Sequence, residues 1–110
     1  MKSYTVLVTP EAEAGIVSAF HYIQQRALAS AAKWLSGLYK KINTLERMPR
    51  RCASARESLY FGENLRQILY KSHRAVFRIE ETNSIVRVLH FLHAKQQAAG
   101  EPGVGTTEDE

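Results

Sequence analysis

The residues of this 110-residue chain best suited to chemistry are bases and histidines that lie close together in its last third. Arginine presents a planar, permanently charged fork that fits a phosphate, and histidine titrates near neutral pH and can transfer a proton. Residues 66 to 95 contain two acids and six bases, namely Arg66, Lys71, Arg74, Arg78, Arg87 and Lys95. This pattern predicts a surface that binds an anion, and the alternative is a solvated sheet face with no ligand.

Of the four histidines, His93 is the candidate for acid–base chemistry, because it lies between Arg87 and Lys95 near the end of an apolar segment. A histidine in such a setting would serve as general acid or base in phosphodiester cleavage. The alternative is a structural histidine. His90 is expected to be a hydrogen-bonded residue of the core.

Most other chemistries lack their residues in this sequence. One cysteine, Cys52, and four scattered histidines do not form a zinc motif, so no metal site is predicted. The glycine-rich nucleotide-binding motifs, the serine-hydrolase motif and the metalloprotease motif do not occur, and no cofactor is predicted. No apolar run approaches the roughly 20 residues that span a bilayer, and the first residues do not resemble a signal peptide. We therefore expect a cytoplasmic protein that does not bind membranes.

Hydrophobic periodicity predicts the elements that must position these residues. Tyr4–Val8 is typical of a strand, and Thr9 and Pro10 then start a helix whose apolar stripe ends near residues 26–28. A second helix is predicted from about Ser30 to about Met48, and residues 49–64 are predicted to be a long loop. The short break between the helices predicts an antiparallel hairpin.

After Asn64 the period changes to two, which predicts three strands over Leu65–Lys71, Arg74–Glu80 and Ile85–Leu92. The predicted fold class is therefore α+β in the order β-α-α-β-β-β. In this fold, the N-terminal helical hairpin packs on one face of a mainly antiparallel, twisted four-stranded sheet.

The charge is unevenly distributed along the chain. Residues 1–100 hold 15 bases and seven acids, a net charge of +8, whereas the last ten residues hold four acids and no base. Residues 1–98 are predicted to form one basic domain. Residues 99–110, which contain glycine and proline besides the acids, are predicted to be a disordered tail.

Strand alternation predicts which residues face the helices, on the inner face of the sheet, and which lie on its outer face. In the second strand of the meander, Ala75, Phe77 and Ile79 are predicted to face inward, so that Arg74 and Arg78 lie exposed on the outer face. In the last strand, Val86, Val88, His90 and Leu92 are predicted to face inward, and Arg87, Leu89, Phe91 and His93 outward.

Two segments, Leu65–Glu80 (LRQILYKSHRAVFRIE) and Ile85–Ala94 (IVRVLHFLHA), together with the preceding helical hairpin, resemble the ParE/RelE superfamily of bacterial type II toxins. The resemblance covers about residues 3–97. It implies a small basic toxin that a cognate antitoxin protein neutralises in a hetero-oligomeric toxin–antitoxin complex.

The superfamily divides in mechanism, and both branches remain open for this chain. RelE-like members cut mRNA on the translating ribosome, and ParE-like members inhibit DNA gyrase. For a RelE-like mechanism the resemblance implies a catalytic role for Arg74, and His93 and Lys95 are the catalytic candidates that could substitute for the family's other residues. The remaining bases, Arg66, Lys71, Arg78 and Arg87, would then bind the nucleic acid or another target.

The end of the chain departs from the RelE-like pattern. The last strand is followed by Lys95, Gln96 and Gln97 where those nucleases place a further arginine, and no tyrosine occurs after Tyr70. A ParE-like toxin with gyrase as target is therefore the favoured prediction, and a RelE-like mRNA interferase is the alternative. A non-toxic module that binds nucleic acid or protein is the third hypothesis.

Overall fold

The structure, a computed structural model, describes residues 2–95 and has the predicted α+β class and element order. The predicted tail, residues 99–110, lies outside the described residues. The elements are β1 (Thr5–Val8), α1 (Pro10–Arg26), α2 (Leu28–Asn43), the one-turn α3 (Ser58–Phe61), β2 (Arg66–Tyr70), β3 (His73–Glu80) and β4 (Ile85–His93).

The helical hairpin begins where the sequence predicts. The Thr9 hydroxyl accepts a hydrogen bond from the Ala12 N–H at 3.2 Å, and Pro10 occupies the first turn. Only Ala27 separates α1 from α2. The second helix starts two residues earlier than predicted and ends at Asn43, well before Met48. Beyond Asn43 the chain tightens into a 3₁₀ turn over Thr44–Glu46.

The four strands form one sheet in the order β1-β4-β3-β2, so β1 and β2 are its edges. β1 runs parallel to β4, and the other neighbours are antiparallel. Two residues, Lys71 and Ser72, connect β2 to β3 in a tight hairpin, and Lys71 has the left-handed φ of 52° that such turns require.

One β-bulge in β4 changes which face its last residues occupy. Phe77 pairs with Val88 and Val76 with His90, so Leu89 is an extra residue with no partner in β3. The Thr9 N–H donates to the Val88 carbonyl at 3.0 Å and the Thr9 hydroxyl to the Leu89 carbonyl at 3.3 Å. The start of α1 therefore holds the bulge in place.

The bulge makes the face assignment wrong for the end of β4. Beyond Leu89, Phe91 pairs with Ala75 and His93 with His73, so both lie on the inner face. His90 and Leu92 lie on the outer face. Strict alternation gave the opposite result for all four residues, because one extra residue inverts the side-chain order of everything after it.

The core lies between the inner face and the helical hairpin. Its fully buried side chains come from α1, α2 and all three strands of the meander, and they include Ile16, Leu38, Ile68, Phe77 and Val88. Two glycines allow the helices to approach the strands of the sheet closely. A Cβ at Gly15 would lie 2.5 Å from the Phe91 carbonyl oxygen, and one at Gly37 would lie 2.5 Å from the Tyr70 hydroxyl.

The predicted loop, residues 49–64, contains structure of its own and covers part of the outer face. A 3₁₀ turn spans Pro49–Arg51 and α3 follows. Ala55 and Leu65 pack on Val76 in a second, smaller core that Leu89 completes. Across residues 2–95, no helix is both long and apolar enough to cross a bilayer.

Candidate functional site

Arg74 is buried on the outer face beneath the segment that precedes β2. Its two terminal nitrogens donate to the two carboxylate oxygens of Glu57 at 2.7 Å each, and Nη1 also donates to Gln67 Oε1 at 3.1 Å. The two charged side chains are 4% and 0% exposed. The exposed position predicted for Arg74 is therefore wrong, because a carboxylate 17 residues earlier in the chain folds over it.

The other outer-face arginines also have carboxylate partners. Arg78 contacts Glu63 at 3.0 Å and Glu80 at 3.0 Å, and Arg87 contacts Glu80 at 2.7 Å. Hydrogen bonds from Arg87, and then from Arg78, lower the pKa of Glu80 to about 2, so this carboxylate stays charged at neutral pH. The predicted basic outer face is thus largely neutralised by acids of the same chain.

Two further predicted residues have different surroundings. Arg66 donates from Nη1 to the Cys52 carbonyl at 2.6 Å and so fastens the segment before β2 to the sheet. His90 stacks on Phe61 with ring centroids 5.5 Å apart, and its Nδ1 lies 2.9 Å from a Glu11 oxygen. His90 is largely buried, as predicted, but on the outer face.

A second group of predicted residues meets on the opposite side, at the end of the sheet beside the helical hairpin. His73 and Phe91 stack with ring planes 2° apart and centroids at 5.0 Å. Trp34 of α2 meets both rings edge-on, at 5.8 Å and 6.1 Å. His93 contacts His73 edge-on at 5.1 Å. Two imidazoles therefore belong to one cluster of aromatic rings.

This cluster borders a cleft of about 520 Å³ between the hairpin and the turn from β2 to β3. We call it the histidine cleft. The residues that line it include Tyr22, Lys33, Trp34, Lys71, His73 and His93. A shallower recess of about 370 Å³ continues from it along α1 and shares Tyr22, His73 and His93.

The environment of the imidazoles sets their chemistry. Burial lowers the pKa of His73 below its ordinary value of 6.5, and the neighbouring His93 lowers it further. His73 is consequently neutral at physiological pH. The Lys95 N–H donates to His93 Nδ1 at 3.1 Å, which orients that ring and makes Nδ1 the accepting nitrogen.

The three residues predicted for catalysis do not converge. Arg74 lies on the outer face of the sheet and His93 on the inner face, so the strands separate the guanidinium from the imidazole. Lys95 follows directly after β4 and is exposed. Their catalytic roles stay predictions. Within residues 2–95, no group of three His, Cys, Asp or Glu side chains is placed to hold a metal ion.

The sequence matches one family model over residues 6–98, that of the ParE toxin of type II toxin–antitoxin systems, parDE. The chain belongs to the ParE toxin family. The predicted toxin class is confirmed, and membership of this family speaks against a non-toxic binding module. No curated protein sequence is similar enough to count as a relative.

Solved structures share the fold of this ParE family member. A chain from the chromosomal ParDE toxin–antitoxin system of P. aeruginosa aligns with a TM-score of 0.67 at 18% identity, covering 84% of this chain and 98% of that one. A chain from the toxin–antitoxin complex RelBE2 of Mycobacterium tuberculosis aligns with a TM-score of 0.54 at 24% identity, covering 86% and 97%. Both similarities are similarities of fold.

Sequence reasoning missed several residues of these two sites in the ParE chain. Glu57 lies in the predicted loop between Arg56 and Ser58, and nothing in that polar setting signals a buried ion pair. Tyr22 and Lys33 belong to the helices and lie about 40 to 50 residues from the strands that they meet. The only sequence signal for these two cleft residues is that they are polar residues in helices with apolar stripes.

Proposed function

We propose that this toxin inhibits DNA gyrase by binding it through an exposed surface, without bond-breaking chemistry of its own. The proposal rests on the family, because the ParE-like branch of the superfamily is the one that the resemblance associates with gyrase. The proposal also implies that the protein acts in the cytoplasm. The non-convergence of the predicted nuclease residues supports it.

The observation that carries the proposal is the buried ion pair that Arg74 forms with Glu57. An arginine that stabilises a scissile phosphate must present its guanidinium to the substrate, and here both terminal nitrogens are already bonded to a buried carboxylate. Freeing them would leave Glu57 charged and unpaired in the interior, which is strongly unfavourable. The remaining outer-face arginines are in ion pairs as well.

A supercoiling assay tests the proposal directly. Purified toxin at molar excess is expected to block the conversion of relaxed plasmid to supercoiled plasmid by purified gyrase. The matched control is a double variant, Glu57→Leu with Arg74→Met, which removes the buried pair as a unit and should inhibit as well as the unmodified chain. Full supercoiling at toxin excess, with gyrase active in its absence, contradicts the proposal.

A RelE-like mRNA interferase is the second candidate, because two imidazoles in contact could pass a proton. On this alternative, mRNA in a translating extract is cut at defined codons, and His93→Gln abolishes the cuts while Arg78→Gln and Arg87→Gln weaken substrate binding. Cleavage that persists in Arg74→Ala and in His93→Gln would remove both residues from the mechanism.

We further propose that a cognate antitoxin protein covers the helical hairpin and the edge of the sheet in a hetero-oligomer. Val17 and Leu28 on the hairpin and Leu69 on the edge strand β2 are exposed apolar side chains. A disordered acidic segment can fold onto such surfaces. Co-purification with the product of the adjacent gene tests this, and Leu69→Asp should weaken the complex.

A further inference from the structure

The histidine cleft carries positive charge that no carboxylate among residues 2–95 neutralises. We propose that it binds single-stranded nucleic acid, with Lys33 and Lys71 contacting backbone phosphates and Tyr22 stacking on a base. The proposal does not depend on whether gyrase or the ribosome is the target, since both act on nucleic acid.

The distribution of carboxylates is the first argument. The seven acids among residues 2–95 are Glu11, Glu13, Glu46, Glu57, Glu63, Glu80 and Glu81. Five of them pair with His90 or with bases away from the cleft. None lines the cleft, and no carboxylate of the described chain pairs with Lys33 or Lys71. The cleft is therefore a place where the positive potential of this basic domain faces solvent.

The backbone at Lys71 is the second argument. Its φ of 52° lies in the left-handed region, which two-residue hairpins fill with glycine, asparagine or aspartate because other side chains are strained there. A lysine here therefore carries a conformational cost that glycine would avoid. Here its ammonium group lies 5.7 Å from the Tyr70 ring centroid, at the rim of the cleft. Strain of this kind is concentrated at functional sites.

Exposed aromatic surface at the rim is the third argument. Tyr22 is 58% exposed although it borders the cleft, and the Arg26 guanidinium lies over its ring at 4.5 Å. One face of the ring contacts Arg26, and a base can stack on the remaining surface. Lysines alternating with aromatic rings are the combination by which proteins hold single strands without reading their sequence.

Nucleic acid fits this cleft better than an acidic peptide does. The charged residues that line the cleft are lysines, which bind a phosphate as point charges. Aromatic rings and two imidazoles supply flat surfaces suited to bases, and a peptide carboxylate makes no use of them. A volume of about 520 Å³ is within the range of a small-ligand site.

Fluorescence anisotropy with labelled oligonucleotides tests the proposal on the full chain. The probes are single-stranded DNA and RNA of about eight nucleotides and mixed sequence, titrated at several salt concentrations. The double variant Lys33→Gln/Lys71→Gln should weaken binding about tenfold and lower the slope of log K against log salt by about 1.4, the value for two lost phosphate contacts. Tyr22→Ala should weaken binding about fivefold or more and Tyr22→Phe little, as expected for stacking.

The matched control is Lys40→Gln/Lys41→Gln, which removes the same charge from the exposed last turn of the same helix. Binding that falls equally in both double variants means non-specific attraction and overturns the proposal. It is also overturned if a Glu-rich octapeptide binds more tightly than either oligonucleotide, or if Tyr22→Ala binds normally. Because gyrase takes no part in this assay, its result is separate from that of the supercoiling test.

Discussion

At the scale of single residues, Arg74 and Glu57 form the most deeply buried ion pair among the described residues. Both guanidinium nitrogens meet both carboxylate oxygens at 2.7 Å, with the side chains 4% and 0% exposed. A buried pair contributes little net stability over an apolar replacement, but the loss of one partner leaves an unpaired charge in the interior. Arg74 therefore holds the segment containing α3 onto the outer face.

Arg74→Ala is expected to lower the free energy of unfolding by about 3–5 kcal/mol, because Glu57 is left uncompensated. Urea denaturation followed by circular dichroism measures the loss. In the double variant Arg74→Met/Glu57→Leu most of the stability should return. If Arg74→Ala unfolds at the same urea concentration as the unmodified chain, the pair is not structural and the catalytic prediction for Arg74 regains support.

The second residue-scale prediction concerns His73. Its pKa lies below 6.5 because of burial first and His93 second. NMR titration of the imidazole carbons should show this directly. His93→Gln removes the smaller cause, so the pKa of His73 should rise but stay below 6.5. A pKa above 6.5 in the unmodified chain would mean that the ring is solvated and that the aromatic cluster is open.

At the scale of elements, α2 meets β2 where Tyr70 packs against Gly37 and Trp34. The Tyr70 hydroxyl donates to the Trp34 carbonyl at 2.8 Å and lies directly above Gly37. This bond ties the floor of the histidine cleft to the helix. It also explains why glycine occupies the middle of a helix, where alanine is intrinsically better.

Gly37→Ala is expected to destabilise the fold by about 1–3 kcal/mol, because its Cβ would lie 2.5 Å from the Tyr70 hydroxyl. In a Tyr70→Phe background the nearest ring atom would be 3.4 Å away, and the same substitution should become neutral or stabilising. Urea unfolding of the four chains of this double-mutant cycle measures the coupling. Additive effects would show that the contact is not what requires glycine.

At the scale of the whole molecule, ion pairs connect distant parts of the chain. Glu81, at the end of the β3–β4 hairpin, accepts from Lys2, Arg50 and Tyr4, which belong to the N-terminus and to the segment after α2. Hydrogen bonds from Lys2, Arg50 and Tyr4 lower its pKa to about 2, as those from Arg87 and Arg78 do for Glu80. Both carboxylates are thus more acidic in the folded than in the unfolded chain.

These two groups predict the acid response. Because the folded pKa is depressed, their contribution to stability is complete above the unfolded value of 4.5 and is lost as pH falls toward 2. Thermal melting temperatures of the unmodified chain should therefore fall across this window. Glu80→Gln/Glu81→Gln should be less stable at pH 7 and show a shallower decline. Parallel curves for the two proteins would contradict the prediction.

Local patterns in the sequence determined much of this protein. The helical cap at Thr9, the apolar stripes and the period-two strands are short-range signals, and they predicted the α+β class, the hairpin and the order of elements. The toxin family was predicted separately, from the resemblance of Leu65–Glu80 and Ile85–Ala94 to known toxins. The basic composition also follows from counting. Caps, stripes and strand alternation depend on neighbours within a few residues, which is why the sequence alone carries them.

Tertiary structure alone decided the surfaces. The bulge at Leu89 adds one residue to β4 and thereby moves His93 and Phe91 to the inner face. The Arg74–Glu57 pair buries a charge that alternation places outside. Charge, burial and partner choice depend on residues far apart in the chain, so a single extra residue or a distant carboxylate overrides the local pattern. Among residues 2–95, Lys33 and Lys71 of the histidine cleft therefore have no carboxylate partner, whereas Arg74, Arg78 and Arg87 of the outer face are paired.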